Sequence, residues 1–258
     1  MKLPDTKIAL TLYSLREYCR TYQALDNTFE KLRDIGYQSV QISGIGNIAD
    51  EEVKDLSEKH SMYICAAHEN FNECLNFSEK VISKLKLWEC SYTAVGIVPK
   101  EYFVSDGVTK VAPLLEKIGR KLKSAGITFG YHNHHWEFMK GSRIVWLMEL
   151  FDRVPSDVLA AELDLHWIVR GGGNPEAWIR YLCNRVPVLH FKDFIIVDGV
   201  PHFCEIGEGN LDWQGILNAC FNADVRWYVV EQDQPFGNRD IFESLQISFE
   251  NLKQMGVK

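Results

Sequence analysis

Short runs rich in β-branched and aromatic residues alternate with amphipathic segments along this whole sequence, at a spacing of about 30 residues, the size of one strand-plus-helix unit. That rhythm constrains the fold more than any motif, because strands alternating with helices imply a parallel sheet, closed into a barrel or open and doubly wound. The strands read as residues 7–13, 39–42, 63–67, 92–95, 127–131, 158–163, 187–190 and 227–230. Helical patterns separate them. In the first, Leu25, Phe29 and Leu32 share one stripe, with Asp26, Asn27 or Thr28 as caps and Gly36 as the stop. Others fall near residues 50–59, around Phe77, Val81 and Leu85, along Val108, Val111, Leu115, Ile118 and Leu122, and near 145–151. Pro175 opens another at a first-turn position, and residues 241–255 form the last. The series closes at eight strands and eight helices with no linker or low-complexity tract.

No Gly-rich phosphate turn follows the first strand, which argues against a dinucleotide-binding doubly wound sheet. Gly171-Gly172-Gly173 lacks both the spacing and the Lys of a nucleotide loop and reads as a flexible turn. A length of 258 residues suits an undecorated barrel, so the expected fold is α/β, a single (β/α)8 TIM barrel domain spanning 1–258. With 46% hydrophobic residues the chain can bury a large core, yet no apolar run approaches the roughly 18 residues of a membrane span. Pro4 and Asp5 precede a short alternating stretch unlike a secretory signal, so the expected location is cytoplasmic, with no membrane partner. Seven scattered cysteines without CxxC spacing indicate reduced thiols. A net charge of −7 without a basic run argues against nucleic acid as a partner.

In a closed parallel barrel, chemistry gathers where the strands end. There the sequence places His68-Glu69-Asn70, the stretch from Tyr131 to Phe138, Asp164-Leu165-His166-Trp167, His190-Phe191-Lys192-Asp193 and Glu231-Gln232-Asp233. Carboxylates with imidazole and no thiolate suit one divalent ion, Mn2+, Mg2+ or Co2+ before Zn2+. Such an ion holds vicinal substrate oxygens and stabilises negative charge developing as an adjacent C–H proton leaves. Glu137 and Glu231, on opposite walls, would then exchange protons with either face of the carbon, the arrangement of an isomerase or epimerase. Lys192 shares strand parity with His190 and would point toward substrate, or else pair with Asp193 at the surface. Glu162 shares parity with Asp164 and either faces the barrel interior as a partner that supports the ligands or, the favoured reading, ends in a structural hydrogen bond. Trp136 and Trp167 offer a wall for a sugar ring, whereas Trp213 reads as packing. The turn containing Gly207 and Gly209 either brings Glu208 over the site or lies on the surface.

These residues resemble the sugar phosphate isomerase/epimerase superfamily, the xylose isomerase-like barrels, over nearly the whole chain. The resemblance rests on TLYSLRE, YHNHHWEF, ELDLHW followed by GGGNP, LHFKD, EIGEGNLDW and VVEQD. It implies a metal held by Glu137, Asp164, His190 and Glu231, the two glutamates doubling as the acid/base pair. Glu137 lies several residues past the end of the fifth strand, so His132 and His134 compete with it for that position. Gln41 stands where relatives often carry a Glu. His68, His132, His134, His166, Lys192 and Glu208 form the implied substrate-contacting set, with Arg16 from the first loop. The implied activity is isomerisation or epimerisation of a small sugar, keto-sugar or polyol through a metal-stabilised enediolate. Alternatives are an inosose dehydratase-like lyase, an endonuclease IV-like phosphodiesterase or a non-catalytic sugar-binding barrel. Pairing through helix faces leaves room for a homo-oligomer.

Overall fold

The computed structural model describes residues 4–258. Eight strands are those of the barrel: β1 (Ile8–Thr11), β2 (Ser39–Ile42), β3 (Tyr63–Glu69), β4 (Tyr92–Val95), β5 (Thr128–His132), β6 (Ala160–Asp164), β7 (Val188–Phe191) and, last in the chain, β10 (Trp227–Val230). They pair in the order β1-β10-β7-β6-β5-β4-β3-β2 and close on themselves. Closure joins Ile8, Ala9 and Leu10 in parallel to Tyr228, Val229 and Val230. All residues of β1, β2, β4, β6 and β7 are buried, including the polar Gln41, Glu162, Asp164 and His190, as in a closed parallel sheet covered by helices on its outer face.

The helices are α1 (Tyr22–Ile35), α2 (Asp50–Lys59), α3 (Phe71–Asn76), α4 (Ser78–Leu87), α5 (Gly107–Ser124), α6 (Trp146–Arg153), α7 (Leu165–Arg170), α8 (Pro175–Tyr181), α9 (Trp213–Asn222) and α10 (Ile241–Gln254). α1 begins earlier than the apolar stripe suggests: Thr21 is the cap, accepting from the Ala24 N–H. The expected cap Asp26 lies mid-helix, where its carboxylate pairs with Lys59 and His60. Gly36 ends the helix at φ 119, the left-handed conformation that glycine reaches without strain. Pro175 opens α8 behind Asn174, whose side chain caps Ala177.

Strand periodicity divides the core. Outward residues such as Leu10, Leu163, Leu189 and Val230 pack under the helices. A smaller cluster within the barrel contains Ala9, Ala66, Ala94, Ala160, Val188 and Val229. Two residues on from Ala66, Ala160, Val188 and Val229 come His68, Glu162, His190 and Glu231, the same parity and so the same face. The lumen therefore changes from small and apolar low in the barrel to polar at the rim.

The expected one helix per strand is exceeded after β3, which α3 and α4 follow, and after β6, which α7 and α8 follow, and the stretch after β7 departs further from the rhythm. After β7 the chain forms an antiparallel hairpin, β8 (Asp193–Val197) and β9 (Val200–Cys204). Its two-residue turn, Asp198-Gly199, has positive φ at both positions, 51 and 77, the geometry whose twist matches paired strands. Among the described residues no helix is long and apolar enough to cross a membrane.

Candidate active site

His132, Asp164 and His190 come from β5, β6 and β7, Glu231 directly follows β10, and each is buried. One donor atom from each lies within 4.8 Å of the others. His190 Nδ1 is 2.5 Å from Glu231 Oε2. Asp164 accepts the Trp167 N–H at 2.9 Å through Oδ1, capping α7, while its own N–H donates to Asn133 Oδ1 at 3.1 Å. Its other oxygen, Oδ2, is buried without a hydrogen-bond partner. A buried orphan acceptor of that kind calls for a ligand. Together with a donor set of nitrogen and oxygen lacking sulfur, it fits one hard or borderline divalent cation.

The surrounding charges are tightly balanced. Lys192 Nζ donates to Glu231 Oε1 at 3.2 Å, pairs with Asp233 and lies 3.9 Å from Asp164 Oδ2. It also stands 5.0 Å above the rings of Trp167 and Phe203. Burial favours the uncharged form of each group, and neighbours decide the outcome. Burial pushes Asp164 up to about 7, with the Lys192 charge opposing. Glu231 is held well below the usual carboxylate range because Lys192 and His190 outweigh its burial. His190, which burial alone would lower, is raised to about 10 by Glu162 and Glu231. His132 falls well below the ordinary imidazole value through burial and the charge of His190, and burial takes His134 down to about 4.

Above these groups opens a cavity of about 440 Å³. Tyr13, Ile97 and Trp167 give it apolar surface; Arg16, Ser43, His68, His134, Lys192 and Asp233 give it polar surface. Its volume lies in the range of small-molecule sites.

Several expected residues are elsewhere. Glu137 does not join the donor cluster. It follows β5 on a single 3-10 turn, with Oε1 accepting from the Tyr131 hydroxyl and Oε2 from the His134 N–H, both at 2.9 Å. Tyr131 has the outward parity of β5 and packs on Trp146 of α6, so Glu137 is held in the helix-facing layer. The strand-five donor beside Asp164 is His132, one of the alternatives to Glu137. Glu208 is exposed and pairs with Arg239 at 3.0 Å, which holds it off the cavity lining. His166 is buried among Trp167, Phe194 and Phe203 and does not line the cavity. Trp136 is exposed, and Trp213 packs on Phe191.

Asp193 is not a surface partner of Lys192. Its buried carboxylate accepts from the N–H groups of Phe194, Gly207, Gly209 and Leu211 and, at 2.6 Å, from Trp213 Nε1. It fixes the loop entering α9. The parity that sends Lys192 inward sends Asp193 out, a signal already present in the sequence.

The family model described as xylose isomerase-like TIM barrel matches residues 29–248. A search of curated proteins finds no match. Among solved structures, a sugar phosphate isomerase/epimerase from Parabacteroides distasonis ATCC 8503 is similar with a TM-score of 0.81 and 24% identity, over 97% of this chain and 94% of that one. An L-ribulose 3-epimerase is similar at TM-score 0.72 and 11% identity, over 96% and 94%. The IolI protein with a bound zinc atom is similar at TM-score 0.75 and 14% identity, over 96% and 97%. At these identities the likeness is one of fold.

Proposed function

The chain belongs to the xylose isomerase-like TIM barrel family, and from that premise we propose that it is a metal-dependent isomerase or epimerase of a small sugar, keto-sugar or related polyol. The observation that carries this reading is the convergence of His132, Asp164, His190 and Glu231 within 4.8 Å beneath a cavity of small-sugar size. When bound, a divalent ion supplies Lewis-acid stabilisation of charge on a substrate oxygen beside the departing proton.

The protein's own groups supply the rest. Glu231 is the base that removes the proton α to the substrate carbonyl. Lys192 holds Glu231 Oε1 and orients it toward the cavity. Trp167 and Tyr13 offer apolar faces to the C–H side of a sugar, while Arg16, Ser43 and Asp233 meet hydroxyl groups. Glu137 is absent from this lining, whereas His68 and His134 are present, so an imidazole takes the second acid/base place.

Incubation of the Mn2+-loaded protein with a panel of ketoses in D2O tests the reading. Deuterium is expected at the carbon next to the carbonyl, in a product that is an isomer of its substrate. Product formed with loss of water would replace the proposal with a lyase; absence of exchange across the panel, with the site loaded, would leave a sugar-binding barrel.

A further inference from the structure

The hairpin of β8 and β9 stands outside the barrel sheet, yet one of its side chains reaches the candidate active site. Phe194 and Phe203 oppose each other across the hairpin and share one face. Both lie against the His166 ring of α7, with centroids 5.4 and 4.8 Å away. Phe203 also meets Trp167 edge to face, at 6.3 Å and 80°. The two rings therefore form a corner, and the Lys192 ammonium sits in it, 5.0 Å from each centroid. Asp164, Glu231 and Asp233 supply the carboxylates around the same ammonium.

The hairpin can hold that corner because its own base is fixed. Asp193 accepts the Phe194 N–H at 2.8 Å. Asn210 donates its N–H to the Phe194 carbonyl at 2.8 Å and accepts the Ile196 N–H through Oδ1 at 2.9 Å. One edge of β8 is thus tied to the loop that precedes α9, and Phe203 sits directly across the ladder from it. An aromatic face attracts a cation through its quadrupole, more strongly where water is excluded, and the Lys192 side chain is only 2% exposed. The ring also fills a side from which water would otherwise solvate the ammonium. Trp167 lines the cavity, so a change there would alter the cavity wall as well; Phe203 does not line it and acts through Lys192.

We propose that Phe203 is a positioning residue: its ring face holds the Lys192 ammonium against Glu231 Oε1, so that the hairpin, and not the barrel alone, orients the group that removes the substrate proton. The hold on Lys192 stands on the geometry of these side chains; its consequence for proton removal rests on the function proposed above.

Replacing Phe203 with phenylalanine carrying one, two or three ring fluorines tests the hold, because fluorine drains the ring face with little change of shape. Acetylation of Lys192 by acetic anhydride, read by peptide mass spectrometry against exposed Lys140 in the same molecule, should quicken with each fluorine, to about tenfold at three. A flat response, or wild-type Lys192 acetylated as fast as Lys140, would overturn the proposal. Phe203→Leu should lose the protection and Phe203→Tyr should keep it; protection retained with Leu would reduce Phe203 to packing. The consequence is read as exchange in D2O with Mn2+. There Phe203→Leu should lower kcat about tenfold and change KM less than about twofold, and Phe203→Tyr should restore kcat. An unchanged kcat in a variant whose Lys192 has become reactive would overturn the step from Lys192 to Glu231. A wild type that exchanges no proton on any ketose, yet shows the graded acetylation, would defeat the isomerase reading while sustaining the hold on Lys192.

Discussion

Glu137, which the family resemblance offers as a ligand and acid/base group, is held by the Tyr131 hydroxyl and the His134 N–H, outside the cluster of His132, Asp164, His190 and Glu231. Its position, several residues past the fifth strand in a histidine-rich loop, already set His132 and His134 in competition with it. β5 in fact extends to His132, and the backbone beyond it turns Glu137 toward the Tyr131 hydroxyl. Asp164, His190 and Glu231 were legible because they end strands whose parity the apolar pattern fixes; Glu137 was not, because no period governs a loop. Burial pushes the Glu137 carboxyl up to about 7, above its unfolded value, so the folded state holds that proton more tightly. The associated stability is fully present below pH 4.5 and is lost as pH rises through 7. Relative to Glu137→Gln, the wild type should lose about 3 kcal/mol between pH 4.5 and 7.5 in urea titrations. Equal pH slopes for the two proteins would contradict this. At the cavity, Glu231→Gln should reduce deuterium exchange by about 10³-fold, read by proton NMR in D2O. Exchange within tenfold of wild type would remove Glu231 as the base.

Elements with a clear period were the easiest to foresee: β2, β4 and β10 fall on their expected residues, as do α2 and the start of α10. The hairpin after β7 was missed although its signal was present. Asp-Gly between Phe194-Ile195-Ile196-Val197 and Val200-Pro201-His202-Phe203 is a two-residue turn between strand-like runs. An expectation of alternating strands and helices absorbed it into the loop. The onset of α1 was misplaced for a related reason, since its first turn, Tyr22 to Ala24, contributes nothing to the buried stripe. Asp193 ties the hairpin's first strand to residues 207–213. Replacing it with Ala should cost about 3 kcal/mol or more, because several buried N–H groups lose a charged acceptor together. Limited proteolysis should then cut within 205–213, and an unchanged cleavage pattern would deny Asp193 this role. In α5, exposed Pro113 lies within the helix and has no N–H to bond the preceding turn. Pro113→Ala should stabilise the protein by about 1–3 kcal/mol, visible as a higher urea midpoint with unchanged slope.

At the scale of the molecule, closure unites segments far apart in sequence. β1 lies beside β10, and the Lys7 N–H donates to the Lys258 carbonyl at 2.7 Å. The four candidate metal donors likewise come from strands spread over 100 residues, so a cation held among them bridges β5 to β10 and binds only the folded state. Mn2+ at 100 times its dissociation constant should stabilise the fold by about 2.7 kcal/mol. For a chain of this size that corresponds to a rise in Tm of roughly 5–10 °C, reversed by a chelator. A Tm indifferent to Mn2+ would argue that the donors hold no ion in the folded protein.

Lys192 and Asp193 are neighbours in sequence with opposite allegiances, one facing the cavity and the other clasping the external loop. The covalent step between them spans the full thickness of the barrel wall. Variation can therefore rewrite the hairpin and the loop at residues 205–213 around a fixed Asp193 while the inward series Val188, His190, Lys192 is inherited intact. A barrel organised this way can change what it admits without relearning its chemistry.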